Sequence, residues 1–204
     1  MCGIFGWIAY HDTEPDPWLL QQAAAGAAAR GPHAHGWAIP GQPTHRALGP
    51  LNLAKLPRSG TRILGHARLA TYGQPTDLAA VQPIEIDGHH IAHNGNATTA
   101  YHDHPDAPSD TAALAIIYAA HRLAGAKPAA ALTHTATRID TVWALAVLDA
   151  DGSLLVSRHG LPLNALHTRA GLYLSSGELP GSQPLPEHYT WHLAQGHKTS
   201  ARAY

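Results

Sequence analysis

At 204 residues the chain is long enough to bury a substantial apolar core, and a single domain spanning 1–204 is the default expectation. Hydrophobic residues make up 45%, charged residues only 13%, and the formal net charge is -1, so no basic footprint marks a nucleic-acid or anionic-membrane partner, and a small or polar partner is expected. The single cysteine excludes an intramolecular disulfide and fits a reducing compartment, with the cytoplasm as the simplest location.

The N-terminal run MCGIFGWIAY has no basic segment before it, and Gly3, Gly6, His11 and Asp12 interrupt it well short of a signal sequence. No later stretch approaches a membrane span. Residues 4–10 read as a buried strand starting almost at the chain terminus. Asp16 and Pro17 supply a cap and first-turn proline for an Ala-rich helix over 18–29, ended by Gly31 and Pro32. From 34 to 92 short strands alternate with Gly and Pro, among them 62–67 and 84–86. Ser109 and Asp110 open a second helix reaching about 123, and Pro128 opens a third reaching about 138. Runs 142–148 and 154–157 flank an Asp-Ala-Asp-Gly turn and predict a hairpin, followed by strands at 171–175 and 188–193. Strands on either side of a helical block predict a layered α+β domain.

Cys2 is chemically distinctive because initiator methionine is removed before small residues, which would make Cys2 the first residue of the mature chain. Its thiol would then sit beside a free α-amine that titrates near about 7.7 to 8.0 in model peptides, able to take the thiol proton and return it to a leaving amine. The competing reading is an ordinary small residue at the start of a buried strand.

The neighbouring sequence decides between them. M-C-G-I-F-G resembles the opening of the class II glutamine amidotransferases, an N-terminal-nucleophile group. Further matches follow in order: Arg30-Gly31-Pro32 with Gly36 resembles R-G-P-D-x-x-G, and Gly65-His66-Ala67-Arg68-Leu69-Ala70-Thr71 resembles G-H-T-R-W/Y-A/S-T. His93-Asn94-Gly95-Asn96 resembles H-N-G-x, and Ser109-Asp110-Thr111 resembles S-D-S/T. Residues 158–163 and 175–178 echo the family's closing hairpins. The resemblance implies a four-layer αββα sandwich of the N-terminal nucleophile hydrolase type, with no cofactor and no metal.

It also implies roles. Cys2 would attack the glutamine amide, and the Asn94 side chain with the Gly95 backbone N–H would stabilise the oxyanion. Arg68 would hold the substrate carboxylate bidentately and Asp110 its ammonium. The family also places an arginine at Arg30, where it would orient the terminus; from their place just beyond Arg68, Thr71 and Tyr72 would line the pocket, and His66 reads as a sheet histidine rather than a catalytic one. Each position has a plainer alternative: an Asn-Gly turn for Asn94-Gly95, a helix N-cap for Asp110, an ion pair for Arg68. Departures from the pattern are His33 for the usual aspartate, Leu69 for the usual aromatic, and Ser-Gly-Glu near Glu178.

The chain ends soon after the matched region, so a stand-alone glutaminase subunit passing ammonia to a separate synthetase is expected. A γ-glutamyl amide hydrolase acting on conjugates is the alternative enzyme. A third reading, of another class, is a metal-binding domain using His33, His35, His89, His90, His102 and His104, although 17 histidines produce close pairs by chance.

Overall fold

The layering of the molecule can be read from its first strand. In β1 (Gly3–Ala9) every residue is buried, and alternate side chains serve different cores. Ile4 and Ile8 join Leu64, Leu148, Val156 and Leu174 in a core between two sheets, whereas Phe5, Trp7 and Ala9 join Leu20, Ala23 and Ala27 of a helix on the other side. A strand with apolar residues on both faces is stable only with both faces covered.

The computed structural model describes residues 1–71 and 74–193, and the backbone of 200–203. After β1 come α1 (Pro17–Ala28), β2 (Ala34–Ala38), β3 (His45–Leu48), β4 (Arg62–Arg68), β5 (Ile84–Ile86) and β6 (His89–Asn94). Three helices follow, α2 (Thr98–Asp103), α3 (Asp110–Leu123) and α4 (Pro128–Ala136). The chain returns to strands with β7 (Trp143–Leu148), β8 (Leu154–His159), β9 (Asn164–His167), β10 (Gly171–Ser175), β11 (Gln183–Pro184), β12 (Tyr189–Leu193) and β13 (Ser200–Ala203). One antiparallel sheet has the order β11-β9-β10-β1-β4-β2-β3, the other β13-β12-β8-β7-β6-β5.

Helix α1 covers the outer face of the first sheet, and α3 and α4 cover the second, where Leu114, Tyr118 and Leu132 pack on Ile91, Leu145 and Val147. This is the expected αββα sandwich. Asp16 caps α1 as expected, accepting from the Trp18 and Leu19 N–H groups. Gly3 is required by the close approach of α1 to β1, because a Cβ there would lie 2.4 Å from the Ala27 carbonyl oxygen. The expected helix over 128–138 stops at Ala136, and the strand expected from 188 starts at Tyr189, because His188 holds a left-handed backbone with φ 59°. Helix α2 and strands β9 and β11 are too short for periodicity to reveal. Among the described residues no helix is long and apolar enough to cross a membrane.

Candidate active site

Cys2 leads directly into β1, and by the strand alternation it points, like Ile4, into the space between the sheets. Pairing of Gly3 with Ala67 and Ile4 with His66 carries Leu69 alongside it. The Leu69 N–H donates to Cys2 Sγ and the thiol donates to the Leu69 carbonyl, both at 3.4 Å. Arg30 Nε donates to the Cys2 carbonyl at 2.9 Å, while its Nη2 lies 3.6 Å from Met1 Sδ. With Met1 still attached, burial pushes the Cys2 thiol pKa up, opposed by the Leu69 backbone and the positive chain terminus. The unprocessed thiol is therefore a poor nucleophile at neutral pH.

Asn94 ends β6 opposite Ala144 of β7 and is buried, and its side-chain Nδ2 has no hydrogen-bond partner. An orphaned buried amide donor costs about 1–3 kcal/mol of desolvation. Gly95 follows with φ +137°, and a Cβ there would lie 2.8 Å from the Val142 carbonyl oxygen and 2.9 Å from His93 Nε2. Only glycine fits that backbone.

Arg68 ends β4 and Asp110 begins α3, and both are almost fully buried. Arg68 Nη1 donates to the Gln74 carbonyl at 3.1 Å. The N-cap of α3 is Ser109, whose hydroxyl accepts from the Ala112 N–H, so the plainer reading of Asp110 as the cap does not hold. Asp110 Oδ2 instead accepts from the Ala97 N–H at 3.0 Å and Oδ1 from its neighbour Thr111 N–H at 2.8 Å, in the favourable field of a helix N-terminus. Cys2, Arg68, Thr71, Gly95 and Asp110 line one small polar cavity. A cation, a carboxylate and a thiol thus meet at one cavity.

Thr71 is exposed and donates to Asn96 Oδ1 at 3.2 Å. Tyr72 lies outside the described residues. His66 is fully buried on β4, and burial pushes its pKa down to about 3, against the pull of the His93 backbone. It is a neutral sheet residue. His33, the departure from the usual aspartate, accepts at Nδ1 from the Ala70 N–H at 3.0 Å, so an imidazole acceptor pins the chain just beyond Leu69.

Sequence patterns give no role to three further polar cavity residues, Gln82, His93 and Thr111. Gln82 is buried, donating through Nε2 to the Thr111 hydroxyl at 2.8 Å and accepting at Oε1 from the His93 N–H. His93 Nδ1 lies 3.9 Å from Asp110 Oδ2 and 3.5 Å from the Thr111 hydroxyl, and burial lowers its pKa against the pull of Asp110. His93 and Thr111 flank Asn94 and Asp110 within the recognised motifs, which was the available hint; Gln82 offered none. A second cavity, sharing Cys2, Leu69, Thr71 and Gly95 with the first and also lined by Asn94, has a more apolar wall contributed by Leu69, Val142 and Leu161.

The six histidines considered for metal binding are dispersed. His35 Nδ1 pairs with the Gly49 carbonyl, His89 Nδ1 accepts from the Ala150 N–H beside Asp149, and His90 lies near Thr44 and Glu85. Among the described residues none of the six belongs to a group that could hold a metal; the one such group is His159, Glu187 and His188.

The chain is 30% identical over 195 residues to the glutamine–fructose-6-phosphate aminotransferase (isomerizing) of Mesorhizobium japonicum, covering 86% of this chain and 32% of that protein. It is 28% identical over 196 residues to the protein of the same name from Halobacterium salinarum, covering 86% and 31%. The chain thus spans about a third of the length of these curated relatives. In structure it is similar to the glutamine phosphoribosylpyrophosphate amidotransferase of B. subtilis complexed with ADP and GMP, with TM-score 0.74, 19% identity, and coverage of 99% of this chain and 49% of that one. It is also similar to an allosteric regulatory enzyme of purine biosynthesis, with TM-score 0.72, 18% identity, and coverage of 99% and 49%. At these identities the two structures speak to the fold alone. No family model matches the chain.

Proposed function

We propose that this chain, which at the level of the domain belongs to the class II glutamine amidotransferases, hydrolyses the side-chain amide of glutamine through a thioester on Cys2. The observation that carries this reading is the orphaned Asn94 Nδ2, standing with Gly95 beside a thiol whose cavity also holds Arg68 and Asp110. In this reading residues 1–204 act as one cytoplasmic amidotransferase domain.

Removal of Met1 exposes the Cys2 α-amine. Arg30 keeps its bond to the Cys2 carbonyl and orients the new terminus. Glutamine binds with its carboxylate on Arg68 and its ammonium on Asp110, with Thr71 at the rim, bringing the amide carbon to Sγ. The amine accepts the thiol proton as sulfur bonds to carbon, and Asn94 Nδ2 and the Gly95 N–H hold the resulting oxyanion. Collapse breaks the C–N bond, and the ammonium returns its proton to the departing nitrogen, releasing ammonia. Water, deprotonated by the same amine, cleaves the thioester to give glutamate and free thiol. The curated relatives' names pair glutamine with an acceptor, fructose 6-phosphate; here the acceptor is assigned to a separate synthetase that takes up the ammonia before water protonates it.

Intact mass after treatment with a glutamine-analogue electrophile tests the mechanism. The expected species lacks Met1 and carries one adduct, on Cys2. A reactive chain that retains Met1 would overturn it. The apolar cavity by Leu69, Val142 and Leu161 favours a second reading, hydrolysis of γ-glutamyl conjugates with a bulkier leaving group. Hydrolysis of conjugates with no turnover of glutamine would establish that reading and sink the ammonia-donor one.

A further inference from the structure

The end of β8 and the turn into β12 bring together His159, Glu187 and His188, whose ligating atoms all lie within 4.8 Å of one another. We propose that these three side chains form a site for a divalent transition-metal ion, open to solvent at a fourth position. Zinc bonds to imidazole nitrogen and carboxylate oxygen at about 2.0–2.2 Å, so two ligand atoms of a tetrahedral site stand about 3.3–3.6 Å apart. His159 Nδ1 and Glu187 Oε2 are 3.5 Å apart, and that Nδ1 makes no hydrogen bond. The two rings, with centroids 4.6 Å apart and planes tilted by 42°, can converge on one ion instead of stacking flat.

Two ligands are held by backbone. The Gly160 N–H donates to Glu187 Oε2 at 3.2 Å, and the His188 N–H donates to the Arg158 carbonyl at 3.2 Å. Arg158 Nη1 lies 3.3 Å from the other carboxylate oxygen, Oε1, and so orients the carboxylate while leaving Oε2 turned to His159. Two imidazoles and one carboxylate favour zinc, cobalt or nickel over magnesium or calcium, which prefer all-oxygen shells. His188 is exposed and His159 and Glu187 are half-buried, so the cluster lies at the protein surface. Bound metal would staple the 185–189 segment to β8 immediately before Leu161, whose side chain walls the apolar cavity beside Cys2.

The test is titration of untagged Cys2→Ser protein with Co2+, followed by visible absorption, and with Zn2+, followed by calorimetry. The serine background removes the N-terminal thiol as a competing ligand. One ion per chain with intense four-coordinate Co2+ bands is expected. His159→Gln and His188→Asn, the latter keeping a residue tolerant of positive φ, should each weaken binding by at least about tenfold, while His102→Ala should not change it. Absence of stoichiometric binding to the parent protein overturns the site, as does binding that survives in both histidine variants. None of these readouts depends on glutamine hydrolysis.

Discussion

Asn94→Ala separates a catalytic donor from a structural one, because the structure makes opposite forecasts for the two roles. A buried side-chain amide that held the fold together would have a partner; Asn94 Nδ2 has none. Its removal relieves a desolvation penalty of about 1–3 kcal/mol, which offsets the small cavity left behind. Net stability should therefore change by no more than about 1 kcal/mol, a shift of about 2–4 °C in Tm for a domain of this size. Catalysis should fare differently. Loss of one oxyanion donor costs about 2.7–4 kcal/mol, or a fall in kcat of about 100- to 1000-fold, with KM for glutamine little altered. Asn94→Asp should be worse than alanine, since it places negative charge where the oxyanion forms. Glutamate release under saturating glutamine and a thermal melt of the same samples measure both quantities. A kcat within about tenfold of the parent, or a collapse in Tm with intact turnover in the surviving fraction, would refute the assignment.

Gly95→Ala should behave in the contrary way, losing both fold stability and activity. Strain at φ +137° and contact with the Val142 carbonyl should cost about 2 kcal/mol or more, read as a lower Tm. Arg68→Lys and Asp110→Asn should raise KM for glutamine by about 10- to 100-fold, the worth of a charge-assisted bond of about 1.5–3 kcal/mol, with kcat less affected; unchanged KM in both would remove them from substrate binding. His66 sets an acid limit on stability. Its folded pKa is depressed from 6.5 to about 3, so the unfolded chain binds the proton first, and the contribution present above pH 6.5 is lost as pH falls towards 3. At pH 5 that amounts to about 2 kcal/mol, and denaturant titrations at pH 7 and 5 should show a smaller difference in His66→Asn.

The elements with long, regular patterns were legible in the chain: β1, α1, α3 and the β7–β8 hairpin lie where their periodicity and turn residues put them. Short pieces such as α2 and β11 carry too few residues for a pattern. The candidate site divides in the same manner. Cys2, Asn94, Gly95, Arg68 and Asp110 sit in distinctive local motifs, and the fold places Cys2, Arg68, Gly95 and Asp110 around one cavity with Asn94 adjoining Gly95. Gln82 carries no local signature, and its place against Thr111 and His93 exists only through packing.

What the sequence by itself determined is chemistry that depends on neighbours along the chain. A cysteine after the initiator, an Asn-Gly pair whose glycine tolerates positive φ, and a Ser-Asp start to a helix are properties of a few consecutive residues. Tertiary structure decided everything that depends on registers between distant strands. The β1–β4 pairing sets Leu69 against the Cys2 thiol, packing around the end of β6 leaves Asn94 Nδ2 without a partner, and two histidines undistinguished among 17 meet across Glu187. Hydrogen bonding between strands fixes which side chains face each other, and no pattern within one strand carries the identity of its partner.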